Sequence, residues 1–399
     1  MRHLIMFVAL TVMPVSLAAQ DSNFALTPVP RPEPGAGWTF TPSMLYQATW
    51  DDNVLLLGRG DEAPRDFLNV VNPKADLSYT GRRSDLALGY DGAFLFYRQL
   101  GNLNSYNQHA SVNAHRLITR HVTLFLTDTA AAVPTTELVQ FIAVPFIRTG
   151  SELNDLRAGV DAALTKRTSM QIAYDFEWVR FQHDTPFAAL LRGGHSHGMS
   201  VALRHTVGPR TTLLADYDVH HAIIADTGTF DVEIVDVGVE HHVTDTTRVY
   251  VAGGAARLAV SDFGPARTGP AVRAGLSHQY QRAALDVAYT RTFVPAFGFG
   301  GTYQNEEIAG SVRAPLSRRL YARSSVSWRR NEPLTAGDVH LESIWIEGTL
   351  GFAVQPWVRL EAFYSGSHQN DQTAGTSGGE RGRNRVGFQI VTVKPLRVR

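Results

Sequence analysis

The 399-residue sequence contains no cysteine. That excludes a disulfide framework, a thiolate metal site and a cysteine nucleophile. An excess of charge of one sign is also missing, because 37 Lys and Arg balance 37 Asp and Glu. A neutral chain has no broad basic surface for holding nucleic acid, so no nucleic-acid partner is expected. After the first twenty residues or so, no apolar run approaches the about 20 residues of a membrane-spanning helix. Helical stripes are absent too, and so are the G-x-S-x-G, H-E-x-x-H and phosphate-loop signatures. A helical membrane protein is excluded, but a barrel that alternates its apolar and polar residues is not.

The N-terminus, "MRHLIMFVALTVMPVSLAAQ", joins a basic start at Arg2 to an apolar run and the small-x-small site Ser16-Leu17-Ala18. This reads as a signal peptide over residues 1–19, cleaved near Ala18 or Ala19. A Pro-rich periplasmic leader, residues 20–37, follows, and residues 38–399 form a single body with no linker dividing it.

That body alternates with a period of two. In "SMQIAYDFEWVRF", Met170, Ile172, Tyr174, Phe176 and Trp178 fall on one side, and Gln171, Asp175 and Glu177 on the other. "DLALGYDGAFLFYR" opposes Leu86, Leu88, Tyr90, Phe94 and Phe96 to Asp85, Gly89 and Asp91. "LYARSSVSWRR" and "WVRLEAFYS" repeat the pattern.

Tight breaks fall at residues 81–84, 119–120, 166–167, 207–210, 244–247, 280–282, 315–319 and 354–356, with longer connections between them. Short and long connections alternate, as in outer-membrane barrels with tight periplasmic turns and long extracellular loops. The expected fold is all-β, a transmembrane antiparallel up-and-down β-barrel of about 18 strands, within a range of about 16 to 20. Trp38, Trp50, Tyr79, Tyr90, Tyr97, Trp178, Tyr217, Tyr289, Trp328, Trp357 and Tyr364 fit interface girdles. "ELVQFIAVPFI", within residues 130–150, is too apolar for a freely solvated tip, whereas "HQNDQTAGTSGGERG" has the composition of a flexible external loop.

If the apolar face meets lipid, the charged face lines the interior. The candidate lumen-lining residues are Asp91, Arg157, Asp161, Asp175, Glu177, Arg204, Asp216, Asp218, Arg273, Asp286, Arg313, Arg323, Arg329, Glu347, Arg359 and Glu361. Lys74, Asp76, Asp236, Glu240, Glu307 and Arg385 share their register. Charges at this density need water or partners, and cross-strand pairing is their ordinary structural use. Their mixed signs point away from a pore tuned to small ions of one sign and toward a polar or sugar-like cargo. The tight turns are basic, with Arg82, Arg83, Lys166, Arg167, Arg318 and Arg319 as a candidate periplasmic rim. Attraction to acidic lipid headgroups accounts for such charges, as would the docking of an acidic polymer or a partner.

His195 and His197 share a face if extended, but they sit in a Gly-rich stretch with no third ligand in view, so no metal site is expected. Neither a catalytic residue nor a cofactor is expected, and a rim Ser–His dyad of a lipid hydrolase is the remaining enzymatic alternative.

"TFTPSMLYQATWDDNVLLL", "VVNPKADLSYTGRRSDLALGYDGAFLFY" and "NSYNQHASVNAHRLITRHVTLFLTDTAAAVPT" together resemble the β-barrel porin type 2 family of bacterial outer-membrane proteins. The resemblance is clearest over residues 38–135. It implies an 18-stranded outer-membrane pore that moves a secreted exopolysaccharide from periplasm to cell surface. It also implies a periplasmic polysaccharide-export protein as partner, and no catalytic residues. The alternative function is a general or solute-selective diffusion porin. One departure is the C-terminus, where "VGFQIVTVKPLRVR" lacks a terminal aromatic and the last strand is expected to end near Val393.

Overall fold

A computed structural model describes residues 37–58, 63–136, 148–182, 191–260, 266–295, 297–298, 302–334, 339–373 and 379–398. The expected signal peptide, the leader up to residue 36 and the apolar stretch at 137–147 lie outside them.

The chain folds into one sheet of strands β1 (Gly37–Asp51), β2 (Asp66–Thr80), β3 (Ser84–Tyr97), β4 (Ser105–Thr119), β5 (Val122–Val133) and β6 (Ser151–Ala163). Next come β7 (Thr168–Phe181), β8 (Gly194–Gly208), β9 (Thr211–Ile224), β10 (Gly228–His242), β11 (Thr247–Val260) and β12 (Arg267–Gln279). The last are β13 (Ala284–Pro295), β14 (Thr302–Pro315), β15 (Leu320–Pro333), β16 (Val339–Gln355), β17 (Val358–Thr373), β18 (Gly379–Val393) and β19 (Leu396–Val398). Each long strand pairs antiparallel with its neighbours in sequence, and β18 pairs with β1 from Ser43↔Val393 to Asp51↔Arg385. The result is a closed barrel of eighteen strands, as expected; short β19 adds an unforeseen pairing to the foot of β1. Closure leaves no free sheet edge in a medium without water to satisfy it.

The alternation turns outward on its apolar side. Ile172, Tyr174, Met199, Val201, Leu203, Val235, Val237, Ile308, Val326 and Phe388 are exposed, and the residues between them face the interior. A soluble protein would hide such residues, so this belt defines a lipid-facing wall.

Aromatics mark its edges. At the tight-turn end Trp38 lies against Tyr79, with ring centroids 5.0 Å apart. At the other end, aromatic tips reach outward-facing polar groups on the next strand. Tyr46 donates to Asn69 (2.9 Å), Trp328 to Glu342 (2.8 Å) and Tyr364 to Asn384 (2.8 Å), and Tyr174 bonds His197 Nδ1 (2.7 Å). Between Trp38 and Tyr46 a tilted strand climbs roughly 20 Å, close to the thickness of the apolar band of such barrels. Tyr97 departs from the expected girdle. It points inward, where Arg148 donates to its hydroxyl at 2.9 Å.

The connections correct the sequence reading in two places. Alternation of long and short links fails at residues 225–227, where β9 and β10 meet in a three-residue turn with Asp226 at φ 57°. The segment read as a flexible loop, His368–Gly382, is largely strand among the described residues, because β17 runs to Thr373 and β18 resumes at Gly379. Pairing of polar Gln369, Asn370 and Asp371 with Arg381, Glu380 and Gly379 carries the ladder above the lipid zone, where composition gives no apolar signal.

Candidate functional site: the barrel lumen

Because the strands present alternate residues inward, the lumen wall is a set of cross-strand polar rows. Arg157 on β6 donates to Asp175 on β7 at 2.6 Å, to Ser200 on β8 at 3.0 Å and to Gln171 at 3.2 Å. Gln171 in turn donates to Asp161 at 2.8 Å. Asp155 and Glu177 lie directly opposite one another on the same two strands. Asp216 and Asp236 also face each other across β9 and β10, and Arg273 of β12 reaches over β11 to bond them at 2.6 and 2.7 Å. Small residues Ala252 and Gly254 on β11 leave room for that reach. Asp218 follows two residues along from Asp216, and Arg204 takes the inward register of β8.

The other half of the barrel is built alike but with more arginine. Arg329 donates to Glu307 at 3.0 Å, with both side chains buried. Arg313 and Arg323 stand opposite each other on β14 and β15, and Arg323 donates to Glu361 of β17 at 3.0 Å. Glu361 also accepts from Tyr321 and Gln389. Glu347 and Arg359 occupy the inward register of β16 and β17. Asp91 meets His109 Nδ1 at 3.2 Å, and Ser277 donates to Asp286 at 2.8 Å. Every candidate lumen residue read from the sequence thus has its side chain on the inner face. Arg82, Arg83, Lys166, Arg167, Arg318 and Arg319 are exposed in the tight turns.

Both signs line the lumen, in unequal shares by sector. The sector β6–β10 carries Asp155, Asp161, Asp175, Glu177, Asp216, Asp218, Asp236 and Glu240 against Arg157 and Arg204. The sector β14–β18 carries Arg313, Arg323, Arg329, Arg359, Arg381, Arg383 and Arg385 against Glu307, Glu347, Glu361 and Asp371. Because consecutive strands are neighbours in the barrel, the two sectors are also two stretches of the chain, residues 155–240 and 307–385.

The upper lumen is narrowed by segments that fold inward. Leu56, at φ 56°, is buried against Trp345 of β16, and Val54 packs with Leu68, Val70 and Leu95. Opposite, the β12–β13 pairing stops at Val272↔Arg291 while both strands stay paired to their other neighbours. Phe293 turns in over Gly269, and Phe297 packs with Leu191, Ile224 and Phe230. Gly298, at φ 101°, exchanges two backbone hydrogen bonds with Arg192, of 2.5 and 2.9 Å. The sequence reading missed this apolar cluster, because Phe181, Phe230 and Leu258 sit on the register that lower down carries the polar residues.

The histidine pair also needs correction. His195 and His197 are in strand β8, on the outward face beside Phe176 and Tyr174, and not in a loop. No group of three His, Asp or Glu side chains among the described residues is placed to hold a metal ion.

A closed wall, an outward apolar belt between two aromatic edges and a charged interior define a membrane-spanning β-barrel of the outer-membrane type. No family model matches the chain, the porin type 2 family included, and no curated protein matches it. Among solved structures the chain is similar to Acinetobacter baumannii OccAB2, at 12% identity, 90% of this chain, 98% of that chain and a TM-score of 0.47. It is likewise similar to the outer membrane protein opdK of Pseudomonas aeruginosa, at 9% identity, 91% of this chain, 100% of that chain and a TM-score of 0.47. Pseudomonas aeruginosa OpdO is 10% identical over 90% of this chain and 98% of that chain, with a TM-score of 0.46. At such identities and TM-scores the likeness bears on neither cargo nor mechanism.

Proposed function

We propose that the protein is a solute-selective diffusion pore of the outer membrane that passes small polar solutes through its charged lumen. The observation that supports this is the sorting of luminal charge into an acid-rich sector, β6–β10, and an arginine-rich sector, β14–β18. Charge set on opposite walls of a low-dielectric bore produces a field across the path, which orients and selects solutes in ways a neutral conduit cannot. The exopolysaccharide conduit expected from the resemblance fits less well, because the infolded Leu56 and Phe297 segments narrow a bore that a polymer would need open.

The test is reconstitution of the purified protein in a planar bilayer under a potassium chloride gradient. The acid-rich wall should give a reversal potential on the cation-preferring side, and Asp216→Asn with Asp218→Asn should move it toward zero. Absence of ion conductance, or a reversal potential indifferent to those changes, would overturn the proposal.

A further inference from the structure

The tight-turn end of the barrel is charged almost wholly in one sign. Arg82, Arg83, Lys166, Arg167, Arg318 and Arg319 are exposed in three of its turns, and Arg120, Arg210 and Arg282 are exposed in three others. Asp245 is the one acid in the turns of this end, and it pairs with Arg210 at 3.5 Å. Outward-facing carboxylates gather toward the opposite end of the wall. There Glu152 meets Arg180, Asp231 meets His221, Glu233 meets Arg257 and Glu342 accepts from Trp328.

The apolar wall runs down to these same turns. Ile118, Leu164, Val207, Val243, Tyr280 and Leu316 stand at the foot of β4, β6, β8, β10, β12 and β14, in the register that faces lipid, and are between 45% and 60% exposed. Arg120, Lys166, Arg210, Arg282 and Arg318 follow five of them by two or three residues, at most about 10 Å of chain. The cations therefore stand where hydrocarbon gives way to headgroups. Turns surrounded by water would leave that ring of large apolar side chains unburied. A soluble acidic polymer approaching from below would have to displace the headgroups already beside the cations.

We propose that the tight-turn rim is a binding surface for phospholipids with an anionic headgroup, so that the barrel keeps a ring of them around itself in the periplasmic leaflet. Each apolar residue at a strand foot lies against the acyl chains, and the cation just beyond it meets a phosphate. A zwitterionic headgroup fits less well, because its ammonium finds no carboxylate at this end apart from Asp245, which Arg210 already engages. The opposite end of the wall, where carboxylates alternate with Arg and His, offers no such preference. The inference concerns the outer wall and stands apart from what the lumen conducts.

The experiment places the full chain in bilayers of mixed phosphatidylglycerol and phosphatidylcholine, with a spin-labelled form of either lipid as the probe. Label immobilised at the protein surface should favour phosphatidylglycerol by about fivefold, the ratio equivalent to about 1 kcal/mol for a cation at the headgroups. Salt at about 1 M should remove most of that preference, because screening then acts over about 3 Å. Lys166→Gln and Arg167→Gln combined with Arg318→Gln and Arg319→Gln should bring the ratio close to unity while heat-modifiable migration stays as in the wild type. If that variant fails to assemble, Arg318→Gln with Arg319→Gln should lower the ratio in the same direction. Polyglutamate added to the wild type should leave the ratio unchanged. Equal immobilisation of the two labels, or a preference indifferent to salt and to the substitutions, would overturn the proposal. A preference that polyglutamate abolishes would overturn it too, and would assign the cations to a soluble acidic partner.

Discussion

Asp51 and Arg383 clamp the barrel shut. Residues 332 apart in sequence, they meet where β1 returns to β18: Arg383 Nε donates to both Asp51 oxygens at 3.1 and 3.0 Å, and both side chains are almost wholly buried. Asp52 receives the backbone and side-chain amides of Asn384 at 2.6 and 2.7 Å, and Asn53 donates to the Gly382 carbonyl at 2.8 Å. The Asp51-Asp52-Asn53 step at the end of β1 is therefore the upper lock of the closing seam.

Breaking that lock from one side strands a buried charge. Asp51→Ala should cost about 3–5 kcal/mol, whereas Asp51→Leu combined with Arg383→Met should recover most of the loss. Urea titration of the purified barrel, read as the midpoint of heat-modifiable gel migration, distinguishes the two.

The two faces of β7 should respond in opposite ways. Ile172, exposed on the outer face, becomes a charge in lipid when changed to Arg, at about 2–4 kcal/mol near the midplane. Glu177→Gln, on the inner face, should assemble as the wild type does. The fraction of folded protein after refolding into detergent, seen on an unheated gel, reports both.

Tyr321, Gly351 and Glu361 form a row across β15, β16 and β17, and the Tyr321 ring fills the space a Cβ on Gly351 would take. Gly351→Ala should cost about 1–3 kcal/mol through overpacking. In a Tyr321→Ala background the same change should cost much less, and a double-mutant cycle on urea midpoints measures that coupling.

Arg273 is the cation that holds Asp216 and Asp236 together. Arg273→Gln leaves two carboxylates facing each other, so the reversal potential should move further to the cation-preferring side. The shift should shrink as salt approaches 1 M, where screening acts over about 3 Å.

Much of the barrel was legible before any contact was known. A period of two with exposed polar turns places Ile172 and Asp175 on opposite faces whatever else happens, and basic turns such as Lys166-Arg167 fall at the tight end. What stayed hidden had lost its hydropathy contrast. Gln369 and Asp371 continue a strand above the lipid zone, and Tyr97 shares an aromatic's composition with the girdle while pointing the other way.

The sequence by itself determined the all-β class, the strand register and the set of charges that turn inward, because alternation in a lipid-facing strand is a local rule obeyed residue by residue. Only the tertiary structure decided that Asp51 meets Arg383, that Arg273 reaches over β11 to Asp216 and Asp236, and that Phe297 packs with Leu191, Ile224 and Phe230. These facts depend on which strands become neighbours and which face each other across the bore, and closure of the sheet fixes that.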